Sequence, residues 1–167
     1  MKLYFLRHGI AEDEAASDHD RRLTAKGRRR VETAAQVMEQ LDLRPATIFS
    51  SPRVRARQTA EIVAETLRRT MEVRDEVDFG FNTAAVQVLT AGMKDDVEVM
   101  FVGHEPYFST TARELTGGDI VLKKGGLLRL DTVGRNPLRA ELVWAIPPRI
   151  FNALTRTDQP DEGDDDE

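Results

Sequence analysis

Residues 97–118, VEVMFVGHEPYFSTTARELTGG, decide how the chain is built. Val97 to Val102 is a run of apolar and β-branched residues, the most strand-like stretch in the sequence, and it stops at Gly103-His104. Glu105-Pro106 then opens a helix whose buried face carries Phe108, Thr111, Ala112 and Leu115 at helical spacing, with Gly117-Gly118 at its end. A buried strand, a polar tip and an amphipathic helix form a unit that recurs in both directions along the chain.

Upstream, Lys2 to Leu6 reads as a buried strand ending at Arg7-His8-Gly9, followed by a loop of acids and small residues to about Leu23. Thr24 caps a helix with Val31, Ala34, Ala35, Met38 and Leu41 on one stripe, and Pro45 ends that unit. Ala46 to Ser50 is a second strand. Ser51-Pro52, a hydroxyl cap followed by proline, starts a helix that buries Ala56, Ala60, Val63 and Leu67. Met71 to Val77 reads as a further strand, and Asn82 caps a helix closed by Gly92. Downstream, Leu127 to Thr132 and Leu138 to Ile146 form a closing pair of strands, with Leu142, Trp144 and Ile146 sharing the core-facing side; a short terminal helix follows Pro147-Pro148. Strands alternating with helices predict an α/β fold, a three-layer α/β/α sandwich with a mostly parallel central sheet joined by right-handed crossovers.

The 167 residues are the length of one domain, with no internal repeat. The apolar run before Arg7 is too short for a secretion signal or a membrane span. There is no cysteine, so no disulfide and no thiolate metal site, which fits a reducing cytoplasm. The net charge of −5 conceals an uneven distribution: residues 158–167 hold seven acids and no base, leaving 24 basic against 22 acidic residues in the body. We therefore expect residues 1–157 to form the domain and 158–167 an acidic, disordered tail. An acidic chain without base-stacking motifs is not built for nucleic acid.

Three polar clusters follow strand ends: Arg7-His8-Gly9, Ser51 to Arg57, and Gly103-His104. In open α/β sheets ligands bind beyond the carboxyl ends of the strands, so the three should meet in one cleft. They bring two histidines and several arginines, a set suited to a phosphoryl group. Each guanidinium offers a planar fork of donors, and a charge-assisted hydrogen bond contributes about 1.5–3 kcal/mol. Arg55 falls in the first turn of its helix, near the positive end of the dipole. A neutral imidazole can attack phosphorus through one ring nitrogen while the other donates to a carbonyl. Within a helix, residues two apart do not share a face, so Arg53 and Arg57 are expected at the rim or in solvent. His19 and Arg28 to Arg30 read as surface.

The motifs RHG after the first strand, SSPRVRARQTAE (residues 50–61) after the second and GHEP after a late strand resemble those of the histidine phosphatase (phosphoglycerate mutase-like) superfamily. DHDRRLTAKG from Asp18 and the KKGGLLRL segment ending at Leu130 are similar to elements of its SixA-type phosphohistidine phosphatases. The resemblance spans roughly residues 2 to 146. It implies a phosphohydrolase that forms a phosphohistidine on His8, with Arg7, Arg55 and His104 forming the phosphate pocket, Arg21 within reach of the phosphate, and neither metal nor cofactor. Glu105 stands where the family often has asparagine. Glu76 of DEVDFG is the counterpart of the family's general acid, with Asp75 and Asp78 as rivals. A poorly defined acid suits a phosphoramidate, whose imidazole leaving group needs less help than an alkoxide. The expected substrate is thus a phosphorylated protein such as a histidine phosphotransfer domain. The alternatives are a small phosphorylated metabolite, as for a phosphomonoesterase or mutase, and a binding module without catalysis.

Overall fold

The structure, a computed structural model, describes residues 1–155; the acidic segment 158–167 lies outside the described residues. Six strands form one sheet: β1 (Lys2–Arg7), β2 (Thr47–Ser50), β3 (Met71–Val73), β4 (Glu98–Gly103), β5 (Leu127–Arg135) and β6 (Leu138–Ile146). Their spatial order is β3-β2-β4-β1-β5-β6. The first four run parallel, and β5 and β6 pair antiparallel at one side. The helices are α1 (Ala25–Gln40), α2 (Val54–Leu67), α3 (Thr83–Leu89), α4 (Tyr107–Thr116) and α5 (Pro148–Thr155). The architecture is the predicted three-layer sandwich, with a mixed sheet.

Strands covered on both faces carry a continuous apolar run, and β1 and β4 do so over their buried middles, Leu3 to Leu6 and Val99 to Val102. Alternate side chains divide between two cores. Tyr4, Leu6, Met100 and Val102 join the cluster under α1, α2 and α5, whereas Leu3, Phe5, Val99 and Phe101 join the one that includes Phe108 and Leu115 of α4. Phe5, Phe81, Phe101 and Phe108 meet at centroid separations of 5.0–5.7 Å, partly edge-on.

Several local expectations hold and others are corrected. Thr24 and Asn82 cap α1 and α3 through their side chains. The helix after Ser51-Pro52 begins two residues late, at Val54, with Arg53 as its extended N-cap; Ser51 has other partners. The Met71 strand stops at Val73 and gives way to a 3-10 turn, Asp75–Val77. In β6 an irregularity pairs Trp144 with Arg129 but Leu142 with Leu130, leaving Val143 extra. The alternation slips there: Leu142 is exposed, while Trp144 stays half-buried against Tyr4.

Candidate active site

The sheet register brings the two histidines together. Arg7 of β1 lies opposite Gly103 of β4, so the next residues of both strands, His8 and His104, leave the sheet side by side. His8 N–H donates to Gly103 O (3.0 Å), and the two rings lie 5.1 Å apart. Ser50 pairs with Val102, and Ser51 N–H donates to Val102 O, which delivers Ser51 to the same edge. The chain leaves β1 for the α1 side and β4 for the α4 side, so the histidines occupy the switch point of the sheet.

The surrounding motif residues hold this tip in place. Gly9 N–H donates to Thr59 Oγ1 of α2 (3.1 Å). Gly125 N–H reaches both Arg7 O (3.1 Å) and His8 O (3.0 Å), from a backbone at φ +79° that glycine adopts freely. Gly27, in the first turn of α1, packs on the strand exit so closely that a Cβ there would stand 2.0 Å from Ile10 O. Gln58 Oε1 accepts from Leu23 N, and an isolated bridge joins Ala11 to Leu23. Together these contacts close the base of loop 12–22.

His8 is 7% exposed, and its tautomer follows from its partners. Nδ1 lies 2.7 Å from Gly9 O, an acceptor only, so Nδ1 carries the proton. Arg55 Nε–H, a donor only, points at His8 Nε2 from 3.3 Å, so Nε2 presents its lone pair. Burial, then the positive charges of Arg55 and Arg7, pushes the His8 pKa well below 6.5 against the Gly9 hydrogen bond. The ring is neutral at neutral pH.

His104, 2% exposed, lies 2.8 Å through Nε2 from Ser51 Oγ. Ser51 Oγ–H donates to Asp78 Oδ1 (3.0 Å). Burial raises the Asp78 pKa, but hydrogen bonds from Arg53 and Ser51 outweigh it and hold the group below the usual carboxylate value, so Asp78 is ionised and accepts. His104 must then donate from Nε2. Burial first, then the charges of Arg55 and Arg53, lowers its pKa to about 3 despite Asp78. Its buried Nδ1 has no partner among the described residues.

Four arginines line the site. Arg7 donates to Leu122 O (2.9 Å) and keeps a buried Nε without a partner among the described residues. Arg55, 4% exposed, donates through Nη1 to Asp18 O (2.7 Å) and through Nη2 to Asp18 Oδ2 (3.1 Å). Arg21 donates to Asp18 Oδ1 (3.1 Å) and to Glu12 O (2.5 Å). Arg53 bridges Asp18 Oδ2 and Asp78 Oδ1, both at 2.7 Å, with its guanidinium 3.6 Å over the Phe79 ring. Arg53, expected at the rim or in solvent, is half-buried and joins the two acids; Arg57 is at the surface, near Glu61.

Of the residues singled out in the sequence, His8, Arg55 and His104 come together directly, with Arg7 beside them and Arg21 joined through Asp18. Glu76 does not join them: it pairs with Arg74 (2.8 Å), whose hydrogen bond lowers its pKa. Asp75 shares its 3-10 turn. Asp78, the remaining rival, is the acid in contact with His104. Glu105 caps the first turn of α4 through Ser109 N and Oγ. The sequence reading missed Arg53, Asp18 and the Ser51–Asp78 pair. Among the described residues no three metal-ligating side chains cluster, and no helix is long and apolar enough to cross a membrane.

Comparisons with known proteins extend this geometry. Residues 3–81 match the family model of the histidine phosphatase superfamily (branch 1). An uncharacterized protein of Picosynechococcus sp. (strain PCC 7002) is 37% identical over 142 residues, 78% of this chain and 84% of that protein. The phosphohistidine phosphatase SixA of Escherichia coli (strain K12) is 30% identical over 125 residues, 71% of this chain and 76% of SixA. The structure of the protein histidine phosphatase SixA complexed with tungstate superposes with a TM-score of 0.81 at 23% identity, over 90% of this chain and 99% of that one, a likeness of fold.

Proposed function

Since this chain belongs to the histidine phosphatase superfamily and is a phosphatase, we propose that it transfers a phosphoryl group to Nε2 of His8, and that its substrate is a phosphorylated histidine on a protein. The observation that carries the first part is the tautomer of His8: Nδ1–H donates to Gly9 O, which leaves the lone pair of a neutral ring on Nε2, the nucleophile. The Nε2 lone pair forms the new bond to phosphorus as the bond to the leaving group breaks. Arg7, Arg55 and His104 surround the transferred group, with Arg21 at its outer side, and the guanidinium donors meet charge spread over its oxygens. Water then attacks the phosphohistidine, the N–P bond breaks and orthophosphate leaves. Phosphate neutralisation rests on arginine, so we expect the reaction to run without a metal.

The second part rests on the acids. Asp78 and Asp18 are held below their usual pKa by arginine hydrogen bonds that outweigh burial, and Glu76 by Arg74. None of these three carboxyls is kept in acid form for an alkoxide. A departing imidazole, more easily protonated, makes a smaller demand.

The test is a substrate panel with a quench. Wild-type protein should hydrolyse a phosphohistidine protein with higher catalytic efficiency than sugar phosphates or phosphoglycerate, unaffected by a chelator. Acid-labile phosphate should accumulate on His8, and His8→Ala should lose turnover altogether. Full activity in that variant would overturn the nucleophile assignment; greater efficiency on the small esters would overturn the substrate.

A further inference from the structure

Asp18 rides at the tip of loop 12–22, in a 3-10 turn (Asp18–Asp20), and lies among the arginines. Its carboxylate accepts from three guanidinium groups, those of Arg21, Arg53 and Arg55, and its carbonyl takes a further donor of Arg55. Each nitrogen of the Arg55 guanidinium is thereby engaged through one of its hydrogens: Nε–H covers the His8 lone pair, Nη1 and Nη2 hold Asp18. A loop carboxylate stands where the proposed chemistry needs an oxyanion, and the donor that covers the nucleophile belongs to the arginine that holds it. Among the described residues, the side chains of Ser17, His19 and Asp20 at the exposed surface hydrogen-bond with one another and not with the body of the fold.

We propose that Asp18 is a specificity-determining residue, an internal anion that a phosphoryl group must displace from Arg53 and Arg55 before Arg55 can leave His8. This rests on the reading of the arginine site as the phosphoryl site. The consequence is selective. An anion with nothing attached must evict Asp18 using only the donors it gains, so orthophosphate binds weakly and the product departs. A phosphoryl group borne on a protein brings further contacts, made with the exposed loop and rim, that offset the eviction. Loop 12–22 can swing because its base is fixed independently of its tip: Ala11 bridges Leu23, and Glu12 N–H donates to Arg22 O (2.8 Å).

The experiment measures orthophosphate and vanadate inhibition of full-length protein and of Asp18→Asn, Asp18→Ala and Asp20→Asn. Removing the internal charge should tighten both oxyanions by about tenfold or more, the scale of one lost charge-assisted competitor. Asp20→Asn, which removes a charge from the same loop outside the cradle, should change them less than about twofold. Unchanged or weaker oxyanion binding in both Asp18 variants overturns the proposal, as does equal tightening in Asp20→Asn, which would mark a general field of the loop. Should the Asp18 variants fail to fold, amide exchange of the wild type decides: saturating orthophosphate should accelerate exchange in residues 12–22, and protection there overturns the proposal. These failures leave wild-type hydrolysis intact. A wild-type protein that neither binds oxyanion nor hydrolyses any phosphorylated substrate would instead sink the reading of the site itself.

Discussion

At the scale of the residue, the site is two neutral imidazoles of opposite tautomer. Both should show in nitrogen-detected NMR of the histidine rings at pH 6: His8 protonated on Nδ1, His104 on Nε2, neither carrying a charge. A charged His8 at that pH would contradict its lowered pKa. The sign for stability follows. A base whose pKa is lower in the folded state takes up its proton more readily when unfolded, so folding stability is whole above about pH 6.5 and declines as pH falls toward the folded value, about 3 for His104. Each ring contributes a slope of at most about 1.4 kcal/mol per pH unit. Urea melts should therefore show His104→Gln losing less stability than wild type between pH 6.5 and 4.5. Arg55→Lys should lower kcat/KM by about 10²-fold or more, because lysine has no planar fork to address His8 and a phosphoryl oxygen together.

At the scale of the element, the strand-end histidines could be read because a hydrophobic strand followed by Gly-His or Arg-His leaves little doubt where the chain turns polar. The fold class, the caps Thr24 and Asn82 and the pairing of β5 with β6 were legible for the same reason: each is a local pattern. What escaped was set between elements. Arg53 was assigned to the rim or to solvent by a rule for helix interiors, but it precedes the first turn of α2, where extended backbone turns it toward Asp78 and Asp18. Glu76 stood out by analogy of position, yet Arg74 two residues earlier claims its carboxylate. The arrest of the strand at Val73 could not be seen from composition. Gly27 and Thr59 carry no signal of their own in the sequence; packing gives them their purpose. Gly27→Ala should cost about 1–3 kcal/mol in denaturant melts, since the added carbon meets Ile10 backbone rather than a flexible side chain. Thr59→Val keeps the shape of α2 but strips the acceptor from Gly9 N–H; we expect a loss of about 1–3 kcal/mol, with kcat falling further than KM rises.

At the scale of the molecule, a site that binds oxyanion only when folded ties ligand to stability. A concentration 100 times Kd stabilises by about 2.7 kcal/mol, so saturating vanadate should raise Tm by roughly 5–10 °C. The shift should vanish in Arg55→Ala. The β1–β4 register has a deeper consequence. His104 lies far along the chain from His8, and their meeting depends on two parallel strands aligning to the residue. A slip by a single residue would send one imidazole to the opposite face of the sheet. Turnover is thus a gauge of long-range alignment, blind to helix content: during refolding, far-ultraviolet dichroism should recover first, and catalysis only when the amino-terminal strand accepts its distant neighbour.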